Sequence, residues 1–207
     1  SKLVTAMVCI DSGRCDNKLL ERLLIRSDNQ AAERIANTYV GGRVNFIRDM
    51  NHNRWKPDYI VGITRGGLIP ATMLSHYLNV PLHTLNVSLR DSNMGPESNL
   101  WMAEDAFGYD NNPETTIKCN SDLKKKILIV DDINDSGATL NWIKEDWQSS
   151  CLPNSVDWEY VWHNNVRFAV LTHNYGSEFK DPDYSVWNVD KRAEDCWLVY
   201  PWEEFWK

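Results

Sequence analysis

The stretch that decides the fold is ILIVDDINDSGATL, residues 127–140. Its first half is a continuous apolar run, so KILIV, residues 126–130, is predicted to be a buried strand of a parallel sheet. Asp131 and Asp132 follow directly, which puts two negative charges at the carboxyl end of that strand, where open α/β sheets form their ligand crevice. The small residues of DSGAT, residues 135–139, then predict a tight turn into a helix.

This turn combines two kinds of binding group. Backbone N–H groups at a helix N-terminus bind anions, and Ser136 and Thr139 add two hydroxyls. Carboxylates accept hydrogen bonds from sugar hydroxyls. We therefore expect a ligand with a phosphate at one end and vicinal hydroxyls in the middle, such as ribose 5-phosphate. The turn is not a Walker A loop, because the lysine of that motif is absent.

Strand and helix patterns alternate on both sides of this stretch. DYIVGI (58–63) and PLHTLNVSL (81–89) are predicted strands around the helix LIPATMLSHYL (68–78), and this spacing implies a parallel sheet. The quoted turn leads into a predicted helix, and two further strands follow; these segments are ATLNWIKEDWQ (138–148), VRFAVLTH (166–173) and DYSVWNV (183–189).

Two segments fall outside the alternation. Residues 1–42 show apolar residues at helical spacing before a YVGGR break, and we expect an N-terminal helical extension followed by one α/β domain over residues 43–207. Residues 90–126 contain Gly, Pro, Asn and Ser throughout and show no sustained period. Loops of this length are usually functional lids or disordered segments.

The composition restricts the class of protein. A chain of 207 residues with 43% hydrophobic and 25% charged residues can bury a real core. Its net charge of −7 makes a nucleic-acid partner unexpected. The five cysteines are odd in number and lack C-x-x-C spacing, which argues against a disulfide framework. Because no long apolar run or secretory leader is evident, we expect a cytoplasmic protein without a membrane partner.

The apolar run followed by Asp-Asp, x-x-Asp and Ser-Gly-x-Thr resembles the phosphoribosyl pyrophosphate (PRPP) signature of type I phosphoribosyltransferases. Without that resemblance, an N-capping acidic turn or a magnesium phosphotransfer site would explain the aspartates. A second loop, Thr64, Arg65, Gly66 and Gly67, stands where the family holds pyrophosphate. Its glycines let the backbone approach an anion, and its arginine adds charge and forked donors.

The resemblance implies an α/β fold with an open, mainly parallel sheet, flanking helices and a flexible hood that begins at Ser88. Asp131 and Asp132 would hold the ribose hydroxyls, with Asp132 also near Mg²⁺, and Asp135 would manage the proton on N7 of a purine. The whole set implied for PRPP binding is Asp131, Asp132, Ser136, Gly137, Ala138, Thr139, Thr64, Arg65, Gly66 and Gly67.

The late segment WLVYPWE, residues 197–203, resembles that of xanthine–guanine and related 6-oxopurine phosphoribosyltransferases. On that resemblance, Trp197 would stack on the purine, the Leu198 backbone would meet the base edge, and Glu203 would lie near a second metal. The family has a purine-reading lysine after an earlier strand. This chain has His173 and Asn174 there, and both are candidates for base binding.

The expected activity is transfer of the phosphoribosyl group from PRPP to hypoxanthine, guanine or xanthine, with Mg²⁺ as cofactor. The family suggests a homodimer or homotetramer. Two alternatives are a regulatory protein of the same fold that senses PRPP without catalysis, and a transferase for another base, such as a pyrimidine.

Overall fold

The computed structural model of this chain describes residues 55–87, 99–116, 118–180, 182–193, 198 and 200. The chain divides into two compact units, one formed by Asp49–Arg192 and the other by Ser1–Arg48 together with Ala193–Lys207. The sheet described below belongs to the first unit. The predicted helical extension over residues 1–42 and the predicted start of the hood at Ser88 lie outside the described residues.

The first unit is built on a five-stranded parallel sheet. Its strands follow the order β2-β1-β3-β4-β5, and every neighbouring pair is parallel. This arrangement confirms the prediction of an open, mainly parallel sheet. The strands are β1 (Tyr59–Thr64), β2 (Leu82–Asn86), β3 (Ile127–Asn134), β4 (Val166–Asn174) and β5 (Tyr184–Val189).

Helices cover both faces of this sheet. Helix α1 (Leu68–Leu78) packs on one face, where Gly62 of β1 lies directly against Ala71. Helices α2 (Leu100–Phe107) and α3 (Ala138–Ser150) contribute to the hydrophobic core on the other face. In the described part of the chain, no helix is long and apolar enough to cross a membrane.

The core under α2 and α3 is rich in aromatic side chains. Trp158, from the short 3-10 helix Val156–Tyr160, stacks on Trp162 with ring centroids 5.3 Å apart and lies the same distance from Phe107 of α2. The Trp158 indole N–H donates to the Cys151 carbonyl at 2.8 Å. Trp147, Trp158 and Trp162 therefore serve the core.

Residues 90–126 are not a continuous loop, so that prediction is wrong from Leu100 onwards. Residues 100–107 form α2, and residues 121–123 form a second 3-10 helix. Four residues of α2 are fully or almost fully buried on one side: Met102, Ala103, Ala106 and Phe107. An eight-residue helix gives only two turns of periodic signal and gains most of its stability from packing. The surrounding Gly, Pro and Asn residues therefore obscured it.

We expect Phe107→Ala to destabilise the fold by about 3–5 kcal/mol, because it removes a fully buried ring from the aromatic core. Leu100→Ala in the same helix is the matched control, since Leu100 is 47% exposed and its loss should cost about 0.5 kcal/mol or less. Urea unfolding followed by tryptophan fluorescence measures both variants. Equal, small losses would show that α2 is not part of the core.

Candidate active site

The sheet opens between β1 and β3. Their register runs only as far as the Gly62–Val130 pair, whereas β3 stays paired with β4 as far as Asn134 and His173. The chain leaves β1 towards β2 on one side and leaves β3 towards β4 on the other. The strand order reverses between β1 and β3, and such switch points are where open α/β sheets bind ligands.

The two aspartates of the sequence signature lie at this opening. The predicted end of the strand at Val130 is wrong, because β3 continues through both aspartates and ends at Asn134. Its extension is paired on the β4 side alone, where Asp131 is in register with Val170. Asp131 and Asp132 are only 8% and 9% exposed, so both carboxylates are largely removed from water.

This burial is electrostatically unfavourable. It raises the pKa of Asp131 well above its ordinary value, and the neighbouring charge of Asp132 raises that pKa further. Backbone donors offset part of the cost. The Asp132 N–H donates to Asp131 Oδ1 at 3.0 Å, and the Ile133 N–H donates to Asp132 Oδ1 at 2.8 Å. A ligand that brings hydroxyl donors or a cation would stabilise the charged pair.

The loop after β1 packs against this pair. Gly66 lies so close to the Asp132 carboxylate that a Cβ at this position would overlap it. A Cβ on Gly67 would lie 2.8 Å from the Ile63 carbonyl oxygen and 2.9 Å from the Asp131 Cα. Both glycines are therefore required by close approach. The Thr64–Arg65 peptide bond of this loop is cis.

The remaining side chains of the loop face different surroundings. The Thr64 hydroxyl donates to Asn86 Oδ1, at the end of β2, at 3.1 Å. Arg65 is exposed. The four predicted pyrophosphate-binding residues thus form one turn, of which the two glycines contact β3 and the arginine reaches solvent.

The turn after β3 presents the N-terminus of α3. Gly137 has φ +89°, a conformation that favours glycine, and it caps the helix without a side chain. The Ser136 hydroxyl accepts a hydrogen bond from the Ala138 N–H at 3.3 Å. The first turn of α3 contains no acidic residue, so the positive end of its dipole is not neutralised from within the helix.

The loop between β4 and β5 fixes this turn from the other side. The Glu178 N–H donates to the Ser136 carbonyl at 2.9 Å. A Cβ on Gly137 would lie 2.7 Å from the Ser177 hydroxyl oxygen, so no larger residue fits there. Ser136 and Ala138 are exposed and Thr139 is half-buried, so solvent reaches a turn that is held in place by a backbone contact.

Asp135 is held by residues from two other segments. Its Oδ1 accepts from Asn174 Nδ2 at 3.1 Å, and its Oδ2 accepts from the Lys191 ammonium at 2.9 Å. The structure therefore brings together Asp135 and Asn174, both predicted from the sequence. Lys191 was not predicted. The signal that could have revealed it is its position just after the strand DYSVWNV, at the same edge of the sheet.

His173 occupies a different environment. Its Nδ1 lies 3.0 Å from Asn134 Nδ2, which also donates to the Phe179 carbonyl at 2.7 Å. The carbonyl can only accept, so it fixes the orientation of the Asn134 amide and makes His173 Nδ1 an acceptor. Neighbouring strand residues project to opposite faces, so His173 contacts Asn134 whereas Asn174 contacts Asp135.

Three predicted residues belong to the carboxyl-terminal segment. Trp197 and Glu203 lie outside the described residues, and Leu198 is a half-buried residue of the second unit. Their roles in base and metal binding stay predictions. Across the described residues, no group of three or more His, Cys, Asp or Glu side chains forms a metal site made by protein alone.

Comparison with known proteins identifies the family. Residues 44–203 match the phosphoribosyl transferase domain, and the chain belongs to this family. The xanthine phosphoribosyltransferase 1 of Saccharomyces cerevisiae is 25% identical in an alignment 177 residues long that covers 72% of this chain and 78% of the yeast protein. The xanthine-guanine phosphoribosyltransferase of Cereibacter sphaeroides is 25% identical over 145 residues, which cover 70% of this chain and 68% of that protein.

A solved structure shares the fold. The xanthine-guanine-hypoxanthine phosphoribosyltransferase of Helicobacter pylori aligns with a TM-score of 0.51 and 19% identity, over 81% of this chain and 89% of that one. The predicted fold and the predicted enzyme class, a phosphoribosyltransferase, are both confirmed.

We expect Asp131→Asn to stabilise the protein at neutral pH. Folding raises the pKa of Asp131 above its ordinary value of 3.8, so over the pH range between the two pKa values the folded chain keeps a proton that the unfolded chain loses. The free energy of unfolding therefore falls as the pH rises above 3.8. Asparagine removes this cost and can still accept the Asp132 N–H. The melting temperature should rise by several degrees, at about 2–4 °C per kcal/mol.

Differential scanning calorimetry between pH 4 and pH 8 measures this effect. The gain should shrink as the pH falls, because the wild-type carboxyl group is then protonated in both states. Asp122→Asn, at an exposed position before β3, is the control and should show no gain. A melting temperature of Asp131→Asn at or below that of the wild type at pH 8 would contradict the proposed burial cost.

Proposed function

We propose that this protein transfers the 5-phosphoribosyl group from PRPP to a 6-oxopurine base, hypoxanthine, guanine or xanthine, and releases pyrophosphate. The observation that carries the proposal is the buried Asp131–Asp132 pair between two glycine-containing turns, with Asp135 beside it. The names of the yeast and Cereibacter relatives, which specify xanthine and guanine, support a purine as the acceptor.

Each end of PRPP has a matching surface in this arrangement. The α3 N-terminus, with Ser136 and Thr139, suits the 5-phosphate because it offers backbone N–H groups, hydroxyls and the positive end of the helix dipole. The turn with Arg65 and its two glycines suits the pyrophosphate. The ribose hydroxyls would then donate to Asp131 and Asp132, which the fold otherwise holds at an electrostatic cost.

The same carboxylates fit Mg²⁺. This ion prefers oxygen ligands, keeps several waters and is usually held by one or two carboxylates together with substrate phosphates. Asp132, next to the turn that contains Gly66, would be the protein ligand of Mg²⁺, with Glu203 as a second candidate. When bound, Mg²⁺ neutralises charge on the leaving pyrophosphate. We expect removal of Mg²⁺ to weaken PRPP binding as well as turnover.

In the reaction, a ring nitrogen of the base forms a bond to ribose C1′ as the bond from C1′ to the pyrophosphate oxygen breaks. The bonding electrons leave with pyrophosphate, and positive charge develops on the ribose ring. The protein mainly positions and stabilises these charges. Asp135 accepts the proton that the base loses at N7, which lets the attacking nitrogen donate its electrons.

A transferase for another base is the second candidate. It is favoured by one observation, that His173 and Asn174 stand where the resemblance predicts a purine-reading lysine. An assay with PRPP, Mg²⁺ and each of hypoxanthine, guanine, xanthine, adenine, orotate and uracil separates the candidates. Formation of nucleotide from orotate or uracil alone would overturn the purine proposal. The oligomeric state and the cytoplasmic location stay predictions.

We expect Asp135→Asn to reduce kcat by about 10²–10⁴-fold while the KM for PRPP changes little, because the substitution keeps the size of the side chain but removes its basicity. Steady-state kinetics with varied PRPP and varied base measure both constants. Asp122→Asn is the control, since Asp122 precedes β3 at the opposite end of the strand. Unchanged turnover in Asp135→Asn would exclude Asp135 as the base.

A further inference from the structure

Lys191 lies beside Asp135, the residue proposed to accept the proton from the base. Its ammonium donates to Asp135 Oδ2 at 2.9 Å, and its side chain is only 20% exposed, whereas that of Asp135 is 39% exposed. Lysine side chains are usually well exposed, so this degree of burial beside a carboxylate indicates a defined position. A positive charge with three hydrogen-bond donors therefore stands beside Asp135.

The backbone of Lys191 is fixed by the end of β4. Its N–H donates to Asn174 Oδ1 at 3.2 Å, and the same oxygen accepts from the Gly176 N–H at 3.1 Å. The other side of the Asn174 amide donates to Asp135. One amide thus holds both members of the Asp135–Lys191 pair, and we assign Asn174 a positioning role.

Sheet topology explains how a residue so late in the chain reaches this position. Strands β4 and β5 are parallel neighbours, and Asn174 is in register with Val189. Because parallel strands point the same way, the residues that follow β5 emerge at the same edge as those that follow β4. A lysine two positions after Val189 can therefore occupy the space expected for a lysine at the end of β4.

The hydrogen-bonding groups of a purine offer an acceptor to the Lys191 ammonium. In guanine N7 and O6 are neighbouring acceptors, whereas adenine presents an acceptor at N7 and an amino donor beside it. Asp135 handles the proton at N7 under the proposed function. A lysine beside Asp135 can donate to an oxo group at position 6, but it has no acceptor for an amino group.

We propose that Lys191 is the residue that selects 6-oxopurines. It replaces the lysine that the resemblance predicts after β4, where this chain has His173 and Asn174. The inference rests on the proposed function and extends it to a specificity-determining residue. Lys191 shares its protons between Asp135 Oδ2 and O6 of the base, so it contacts substrate only when a 6-oxo group is present.

The test compares Lys191→Met with the wild type. Methionine keeps the length of the side chain but removes its charge. The kcat/KM for hypoxanthine relative to adenine should fall by about tenfold, towards the lower end of the discrimination that a bidentate contact to a base edge provides, because Lys191 makes a single such contact. The KM for PRPP should not change. Lys191→Arg, which keeps a donor cation, should retain part of the preference.

Arg192→Gln is the matched control. Arg192 is an exposed neighbouring cation that donates to the Gly176 carbonyl at 3.3 Å, so its loss changes the local charge equally. A specificity ratio that falls equally in both variants would show a general charge effect and overturn the assignment of Lys191. An unchanged ratio in Lys191→Met would also overturn it, while the proposed transferase activity would stand.

Equilibrium binding gives a second readout that does not depend on turnover. Titration calorimetry with GMP and AMP should show that the wild type prefers GMP and that Lys191→Met loses this preference. A preference for GMP that persists in Lys191→Met would contradict the inference. If the wild type forms no purine nucleotide and binds neither GMP nor AMP, the proposed function fails and the role of Lys191 fails with it.

Discussion

The contact between the glycine turn after β1 and the acidic residues of β3 is the constraint on which the site depends. Gly66 touches the Asp132 carboxylate, and Gly67 touches the backbone of Val130 and Asp131. Any side chain at these two positions would push the turn away from β3. The sheet opens at this point, so the contact brings two distant sequence motifs together at one edge of the sheet.

The fold holds the Asp131–Asp132 pair at an electrostatic cost. Burial raises the pKa of Asp131, the neighbouring charge of Asp132 raises it further, and the backbone N–H of Asp132 offsets only part of this effect. The hydrophobic core on the face of α2 and α3, to which neither aspartate belongs, supplies the opposing stabilisation. Polar groups that are costly in the folded protein and satisfied by a ligand are typical of functional sites.

Sequence patterns predicted most of the architecture because their signals were long or chemically specific. Helix α1 and the succession of strands along the chain followed from periodicity, and the apolar run of β3 identified a buried strand. The failures have physical causes. Helix α2 has only two turns and depends on tertiary packing. Strand β3 extends beyond its apolar residues because β4 continues to pair with its backbone after Val130. Lys191 joins the site through strand pairing that periodicity does not encode.

The sequence by itself was enough to identify the family, because the apolar strand, the adjacent aspartates and the glycine-containing turns that carry the resemblance to type I phosphoribosyltransferases are local properties of the chain. The tertiary structure alone decided which side chains surround Asp135. Asn174 and Lys191 come from β4 and from the segment after β5, and only parallel pairing of these strands brings them to one edge. Side-chain contacts across a sheet depend on register and strand order, which arise from the packing of the whole domain.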